Sequence, residues 1–283
     1  MMKRFNSVFP FIFAFTLFCL NSIHVSAQQS LKAYLKTIDN KVSLSYIIQN
    51  KQGKILSMSN SDKIIPSASI IKVPLLIYFM QKASEGTFSL QDHYHLKDED
   101  KVGGSGELQF KPAGISVTYE YLAKEMIRVS DNTATNIIIK KLGLKAFQKW
   151  MKENDYSATQ LNRFMMDFDA IEKGKQNYCS SKEINRLLLA LYNGDLLAEN
   201  PSLKVIEWLK NCEDNTGLPH LLPDRVAIAH KTGTLDYVRG DAGIIFGEKP
   251  IFITVLVENF SEIAEADSII STIGRLAYLE YSK

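Results

Sequence analysis

Strand-forming patterns lie at both ends of this 283-residue chain, and helix-forming patterns fill the middle. The first two strands are predicted as a hairpin, because apolar and polar residues alternate before the turn sequence Asn50 to Gly53 and a second run follows it. The five predicted strands are 42–49, 54–58, 226–231, 240–246 and 251–258, with further turns at 233–239 and 247–250. A sheet built from these strands is antiparallel and joins segments that are far apart in the sequence.

The middle of the chain shows the apolar spacing of helices. The predicted helices are 70–83, 117–129, 131–141, 144–152, 181–192 and 201–210, and a last helix covers 262–281. We therefore predict an α/β fold in which an antiparallel five-stranded sheet is flanked by helices and joined to an all-helical lobe. The α/β lobe would combine residues 28–63 with 215–283, and the helical lobe would be residues 64–214. A cleft between the lobes is the expected place for a functional site.

The first 27 residues have the pattern of a signal peptide. Lys3 and Arg4 precede an apolar run from Val8 to Leu20, and the small residues Ser26 and Ala27 follow. The run has 13 residues, whereas a helix that crosses a bilayer needs about 20. We expect cleavage near Ala27 and a periplasmic or secreted protein that has no membrane attachment after cleavage.

The composition excludes several classes of partner. The formal net charge is +2, and the predicted signal peptide carries both excess positive charges, so the mature chain is neutral. No long basic run remains, which argues against nucleic acid or an anionic membrane as a partner. The histidines and cysteines follow no metal-ligand spacing, so we expect no metal and no cofactor. The redox state of Cys179 and Cys212 stays open, and we expect a monomer that acts on a small molecule.

Three short motifs carry the chemistry of the chain. They are Ser69-x-x-Lys72, Ser130-Asp131-Asn132 and Lys231-Thr232-Gly233. Each is common alone, so their order and their spacing of 61 and then 101 residues are the informative feature. Ser69 is predicted at the positive end of a helix dipole, and Lys72 follows on the same face one turn later. A buried lysine beside a serine can lose its proton and activate the hydroxyl as a nucleophile.

Lys231 ends an apolar strand pattern, and a buried lysine needs an anion beside it. A substrate carboxylate would meet that need, and Gly233 would let the substrate lie against the strand. Arg239, across the predicted turn, is either a second partner for the carboxylate or a solvated turn residue. The segment Gly103 to Leu108 is glycine-rich but has no phosphate-binding lysine. We expect that segment to form a flexible wall of the cleft.

From about Val42 to its C-terminus, the chain resembles the class A β-lactamases of the penicillin-recognising serine hydrolases, which carry S-x-x-K, S-D-N and K-T-G motifs in this order and spacing. The resemblance implies their fold and an acyl-enzyme formed on Ser69 by a β-lactam or a D-Ala-D-Ala-like substrate. It also implies that Lys72 and Ser130 are catalytic, with Ser130 relaying a proton to the leaving nitrogen. The implied substrate-binding residues are Asn132, Lys231, Thr232, Gly233 and Thr234, and the backbone N–H groups of Ser69 and Thr234 would form the oxyanion hole.

The chain departs from this family in the loop that holds the deacylating water. Class A enzymes carry Arg-x-Glu-x-x-Leu-Asn there, and the matching stretch begins at Arg163. Met165 replaces the glutamate, Asp169 replaces the asparagine, and Asn177 lies where an aspartate normally pairs with the arginine. Either Asp167 or Asp169 supplies a substitute base, or the acyl-enzyme turns over slowly. In the second case the protein is a D-alanyl-D-alanine peptidase, another amide or ester hydrolase, or a penicillin-binding sensor.

Overall fold

The computed structural model describes residues 30–283, and the predicted signal peptide, residues 1–27, lies outside the described residues. The first half of the described chain contains α1 (Leu31–Leu35), β1 (Ser43–Asn50), β2 (Ile55–Ser59), β3 (Ile65–Pro66), α2 (Lys72–Ser84), β4 (His93–His95), β5 (Ser116–Thr118), α3 (Tyr119–Arg128), α4 (Asn132–Leu142) and α5 (Leu144–Glu153). The second half contains α6 (Phe168–Glu172), β6 (Tyr178–Cys179), α7 (Ser181–Asn193), α8 (Glu199–Leu209), β7 (Ala227–Leu235), β8 (Val238–Phe246), β9 (Ile251–Glu258) and α9 (Ile263–Ala277).

Five strands form one antiparallel sheet in the order β2-β1-β9-β8-β7. The strand β1 pairs with β9 along its whole length, from Ser43 opposite Glu258 to Asn50 opposite Ile251. This pairing joins two segments that lie about 200 residues apart in the sequence, and the strand order leaves β7 at an edge of the sheet. The predicted fold, an antiparallel five-stranded sheet combined with helices, is confirmed. The lobe boundaries at residues 63/64 and 214/215 stay a prediction.

Both faces of the sheet are covered, which explains why β8 and β9 are buried along nearly their whole length. Alternate residues of a strand point to opposite faces. Phe252 and Leu256 of β9 belong to the core that contains α2 and α7, whereas Ile253 and Val255 belong to the core under α9. Within residues 30–283, no helix is long and apolar enough to cross a membrane.

The helix α2 forms the centre of the helical part. Its first nine residues, Lys72 to Met80, are all buried, and it contacts α3, α4, α5, α7 and α8. A helix that is buried on every side must be enclosed by other elements. Pro74 is tolerated because it lies in the first turn, where its missing N–H would have no partner in the helix. The surrounding helices therefore fix the residues just before α2 relative to the sheet.

Two predicted boundaries near the site are wrong. The helix predicted from Ile70 begins at Lys72, after a 3-10 turn over Ala68–Ile71. The turn predicted over residues 233–239 is shorter, because β7 continues to Leu235 and β8 begins at Val238. Gly233 pairs with Gly240 inside the sheet, and a Cβ on Gly233 would lie 3.0 Å from the Ser69 backbone nitrogen. Glycine therefore marks a close approach between β7 and the 3-10 turn.

Candidate active site

Ser69 lies on the 3-10 turn that precedes α2. Ala68 has a φ of 45°, a conformation that is uncommon for residues other than glycine. A hydrogen bond fixes the start of this turn, because the Ser67 N–H donates to the Asn177 carbonyl at 2.9 Å. The turn and the rigid start of α2 together hold Ser69 at the surface of the cleft.

Lys72 is fully buried beneath the cleft. Its Nζ donates to the Ser130 carbonyl at 2.7 Å, to Ser130 Oγ at 3.0 Å and to Asn132 Oδ1 at 3.0 Å. Burial, and then the positive charge of Lys231, hold the pKa of Lys72 well below its usual value. These effects favour the neutral amine, which can accept a proton.

Ser130 and Asp131 form the short link between α3 and α4. Ser130 has a φ of 57°, and in this conformation both its carbonyl and its hydroxyl meet Lys72. Asp131 is the N-cap of α4, since its Oδ1 accepts from the Ala134 N–H at 2.8 Å, and its Oδ2 accepts from the Leu108 N–H at 2.9 Å. Asp131 therefore connects the glycine-rich segment to α4, while Ser130 and Asn132 accept hydrogen bonds from Lys72.

The edge strand β7 forms the opposite wall of the cleft. Lys231 is buried there, and burial lowers its pKa although nearby acidic groups oppose this effect. Within residues 30–283, its Nζ donates to one acceptor, the Thr232 carbonyl at 2.9 Å. An ammonium group has three N–H donors, so Lys231 can also bind an anion in the cleft. Thr234, two residues beyond Thr232, is exposed.

Arg239 is buried, so the expectation of a solvated turn arginine is wrong. Its guanidinium pairs with Asp267 at 2.6 Å and with Asp214 at 3.1 Å, and it donates to the Thr234 hydroxyl. Burial would raise the pKa of Asp214, but Arg239 and nearby hydroxyl groups lower it to about 2. Arg239 thus meets the cleft through Thr234. Its role as a direct partner of a substrate carboxylate stays a prediction.

Met165 lies in the wall of the cleft, and Asn136 holds its backbone. The Met165 N–H donates to Asn136 Oδ1 at 2.8 Å, and Asn136 Nδ2 donates to the Met165 carbonyl at 3.1 Å. The next residue, Met166, has a φ of 60° and also lines the cleft. The backbone of Met165 is therefore held on both sides, and an apolar residue lines the cleft at this position.

Neutral groups close the base of this loop. The Arg163 guanidinium donates to Gln176 Oε1 from Nε at 3.0 Å and from Nη2 at 2.6 Å. Asn177 Oδ1 accepts from the backbone N–H of Asn162 at 2.8 Å and of Arg163 at 3.0 Å. Burial lowers the pKa of Arg163, and Asp167 opposes this effect. Side-chain amides thus hold the loop where the resemblance predicts an aspartate paired with the arginine.

The structure does not bring Asp167 or Asp169 into the cleft wall. Asp167 is the N-cap of α6, because its Oδ1 accepts from the Ala170 N–H at 3.0 Å. Asp169 is exposed in the first turn of that helix. The carboxylate that does line the cleft in this region belongs to Asp236, in the turn between β7 and β8. A role for Asp167 or Asp169 in deacylation stays a prediction.

Two adjoining cavities meet at Ser69. The smaller has a volume of about 320 Å³ and extends past Ser130 and Lys231, and the larger has about 530 Å³ and extends past Asn132 and Met165. The predicted residues that line these cavities are Ser69, Ser130, Asn132, Lys231, Thr232, Gly233 and Thr234. The structure therefore brings the three motifs together at one cleft, with Lys72 directly beneath it.

The sequence reasoning missed three residues of this region. Asn136 lies four residues after Asn132, on the same face of α4, and that spacing was the available signal. Asp214 and Cys212 lie after α8 and line the smaller cavity. No pattern in the sequence indicates that this segment returns to β7.

Known proteins match almost the whole chain. A model of the β-lactamase enzyme family matches residues 26–281. β-Lactamase VEB-1 of Pseudomonas aeruginosa is 25% identical over 286 residues, which cover 94% of each chain. β-Lactamase 3 of Bacillus cereus is 31% identical over 163 residues, which cover 56% of this chain and 52% of that protein.

Solved structures are similar over the same region. A β-lactamase from Sphaerobacter thermophilus has a TM-score of 0.79 at 25% identity, covering 84% of this chain and 90% of that chain. The structure of PBP-A has a TM-score of 0.79 at 26% identity, covering 88% and 93%. Together with the fold and the three motifs around Ser69, these matches confirm the resemblance to the class A β-lactamases and show that the chain belongs to the β-lactamase enzyme family.

Proposed function

We propose that the protein is an exported hydrolase that β-lactams acylate at Ser69. The observation that carries this proposal is the buried Lys72 amine, which is hydrogen-bonded to Ser130 and Asn132 and lies one turn after a serine that opens onto both cavities. Burial disfavours the charged form of the amine, so Lys72 can take the proton from the Ser69 hydroxyl at neutral pH.

Acylation then follows from the positions of these groups. Ser69 Oγ attacks the carbonyl carbon of the β-lactam while its proton moves to Lys72 Nζ. The backbone N–H groups of Ser69 and Thr234 stabilise the negative charge on the carbonyl oxygen. Lys72 Nζ lies 3.0 Å from Ser130 Oγ, so a proton can pass through Ser130 to the ring nitrogen as the C–N bond breaks. The product is an ester on Ser69 that carries the opened ring.

The substrate is held by the strand β7 and by α4. Lys231 has N–H donors available for a carboxylate, and β-lactams and D-Ala-D-Ala peptides both carry one. The Thr232 and Thr234 side chains add hydroxyl groups along the same edge, and Gly233 keeps that edge free of a bulky side chain. Asn132, in the wall of the larger cavity, would bind the substrate amide.

We infer that deacylation limits turnover. Met165 and Met166 line the larger cavity, so the attacking water meets apolar side chains where a general base normally stands. Asp167 is engaged as a helix cap and Asp169 faces solvent, so either carboxylate acts as the base only if the loop rearranges. A long-lived acyl-enzyme is also the behaviour of a penicillin sensor, and a D-alanyl-D-alanine peptidase is the alternative enzyme.

Mass spectrometry over time with benzylpenicillin and a cephalosporin tests this proposal. We expect a mass increase equal to the intact antibiotic on Ser69, which appears fast and decays slowly, and no adduct in Ser69→Ala. Release of many equivalents of hydrolysed antibiotic identifies a β-lactamase, whereas one persistent equivalent identifies a sensor. If the protein releases D-alanine from a D-Ala-D-Ala peptide faster than it hydrolyses either antibiotic, it is a peptidase. An adduct that persists in Ser69→Ala would overturn the assignment.

We also propose export with cleavage after Ala27, on the basis of the N-terminal sequence pattern. N-terminal sequencing of the protein from the periplasmic fraction or the medium should then begin at Gln28. Recovery of the uncleaved chain from the cytoplasm would contradict export.

Light scattering of the purified protein tests the expected monomer.

A further inference from the structure

A cysteine lies in the cleft beside the proposed nucleophile. Cys212, just after α8, lines the smaller cavity together with Ser69, Ser130 and Lys231. Within residues 30–283 it has no disulfide partner, and it is nearly buried, with only 5% of its surface exposed. The acylation chemistry proposed above makes no use of this thiol.

A histidine oriented by an aspartate stands next to this thiol. His230 on β7 is buried, and its Nδ1 lies 3.0 Å from Asp241 Oδ1 on β8. Asp241 is itself buried and accepts from the Leu218 N–H at 2.8 Å, so the carboxylate is fixed. On the other side of the ring, Nε2 is buried and has no regular hydrogen-bond partner among residues 30–283. After Asp241, the Cys212 thiol is the neighbouring group that most raises the pKa of this ring.

His230 and Cys212 each shift the pKa of the other so that both charged forms are favoured. Burial would lower the pKa of His230, but Asp241 and Cys212 raise it to about 10. Burial would raise the pKa of Cys212, but His230 and Lys231 lower it below its ordinary value. A nucleophile, a histidine beside it and a carboxylate that orients the histidine form the arrangement that activates thiols in cysteine enzymes.

We propose that Cys212, His230 and Asp241 form a second nucleophilic centre, which captures small disulfides in the cleft and thereby blocks acylation of Ser69. The Cys212 thiolate attacks one sulfur of the disulfide RS–SR, and the S–S bond breaks. The product is a mixed disulfide on Cys212, and the thiolate RS⁻ leaves and takes a proton from water. The disulfide is the oxidant, and a reducing thiol reverses the reaction.

The cleft favours small disulfides that carry carboxylates. Lys231 lies in the same cavity as the thiol and can attract a carboxylate of the incoming molecule. The substituent left on Cys212 then occupies space in a cavity of about 320 Å³ that a β-lactam must enter. Modification should therefore inhibit the enzyme without any change in Ser69. This inhibition rests on the proposed function, whereas the reactivity of the thiol does not.

Oxidised glutathione, followed by peptide mass mapping, tests the proposal. We expect one glutathione adduct in the folded protein, on Cys212 and not on Cys179, which is buried in β6. The adduct should abolish labelling of Ser69 by a fluorescent penicillin, and dithiothreitol should restore it. Cys212→Ser should take up no glutathione, and its penicillin labelling should be the same before and after treatment.

The pH dependence separates an activated thiol from a merely exposed one. The charged groups around Cys212 are His230 and Lys231 on β7, Asp241 and Arg239 on β8, Glu213 and Asp214 beside it in the chain, and Arg128 at the end of α3. His230→Gln removes the positive charge beside the sulfur and keeps a polar side chain. We expect it to slow modification at pH 6 by about tenfold or more, because each unit of thiol pKa changes the thiolate fraction tenfold.

Two results would overturn the proposal. One is modification of Cys212 only after the protein is unfolded, and the other is a pH profile that His230→Gln leaves unchanged. The Ser69→Ala variant distinguishes this failure from failure of the proposed function, since it should still be modified on Cys212. If the thiol reacts as expected but penicillin never acylates Ser69, the second nucleophilic centre stands and the proposed function fails.

Discussion

The substitution Met165→Glu would place a general base in the larger cavity. Methionine and glutamate side chains are similar in length, and the backbone of residue 165 is fixed because its N–H donates to Asn136 Oδ1 and its carbonyl accepts from Asn136 Nδ2. The new carboxylate should therefore take the place of the methionine side chain, in the wall of the larger cavity, which Ser69 also lines. We expect the variant to hydrolyse its acyl-enzyme faster, while the acylation rate changes little.

The size of the effect follows from the role of a general base. A positioned base contributes about 10²–10⁴-fold to a proton-transfer step, which corresponds to about 3 to 5 kcal/mol of activation free energy. Residue 165 is only 7% exposed, so burial of the carboxylate should lower the free energy of unfolding by about 1–3 kcal/mol. Rapid mixing with a chromogenic cephalosporin measures the burst and the steady state, and urea denaturation measures the stability.

A matched control separates the base from the change in polarity. Met165→Gln introduces a side chain of the same shape that cannot accept the proton, so its acyl-enzyme should persist as in the unmodified protein. Asp167→Asn and Asp169→Asn should leave deacylation unchanged if neither aspartate is the base. Equal acceleration by glutamine and glutamate would refute the reasoning. If the unsubstituted protein instead hydrolyses the antibiotic fast and without a burst, at a rate that none of the four substitutions changes, another group activates the water.

Two further predictions concern the buried cations. Lys72→Ala should slow acylation by about 10²–10⁴-fold for every substrate, whereas Lys231→Ala should weaken binding of anionic substrates by about 10–100-fold. Acylation rates with matched charged and neutral esters measure the difference, and equal losses in both variants would contradict the assigned roles. His230 has its pKa raised to about 10 from 6.5, so its stabilising effect is complete below about pH 6.5 and is lost as the pH rises through 10. Measured by urea denaturation, the free energy of unfolding should fall by a few kcal/mol from pH 6 to 10, and this fall should be absent in His230→Gln. The same pH dependence in both proteins would refute the prediction.

Most of the fold could be predicted from local patterns, because strands and helices differ in the period of their apolar residues. The hairpin of β1 and β2 and the three later strands follow from that period, as do the longer helices. The short element α6 and the pair β3 and β6 were missed, because five residues or fewer carry no readable period. The end of β7 was misplaced because Gly233 normally signals a turn, whereas here its missing side chain allows the 3-10 turn to approach.

The motif residues of the site could be located in the sequence, but their surroundings could not. The spacing of the three motifs indicates which residues meet, since each carries a recognisable residue pattern. The partners of Arg239 come from residues 214 and 267, on two segments that no pattern connects to β8. Arg239 is buried because of that tertiary arrangement, so the sequence alone could not exclude a solvated turn arginine. Contacts of this kind follow from packing and not from local sequence.

Burial and pairing give the cations around the cleft different tasks. Arg239 is neutralised by Asp214 and Asp267, so an incoming carboxylate gains little from it. Lys231 has N–H donors to spare, and its charge also lowers the pKa of Lys72. A substrate carboxylate bound at Lys231 would offset that charge and raise the pKa of Lys72. Binding of an anionic substrate should thus make Lys72 a stronger base at the moment when Ser69 must lose its proton.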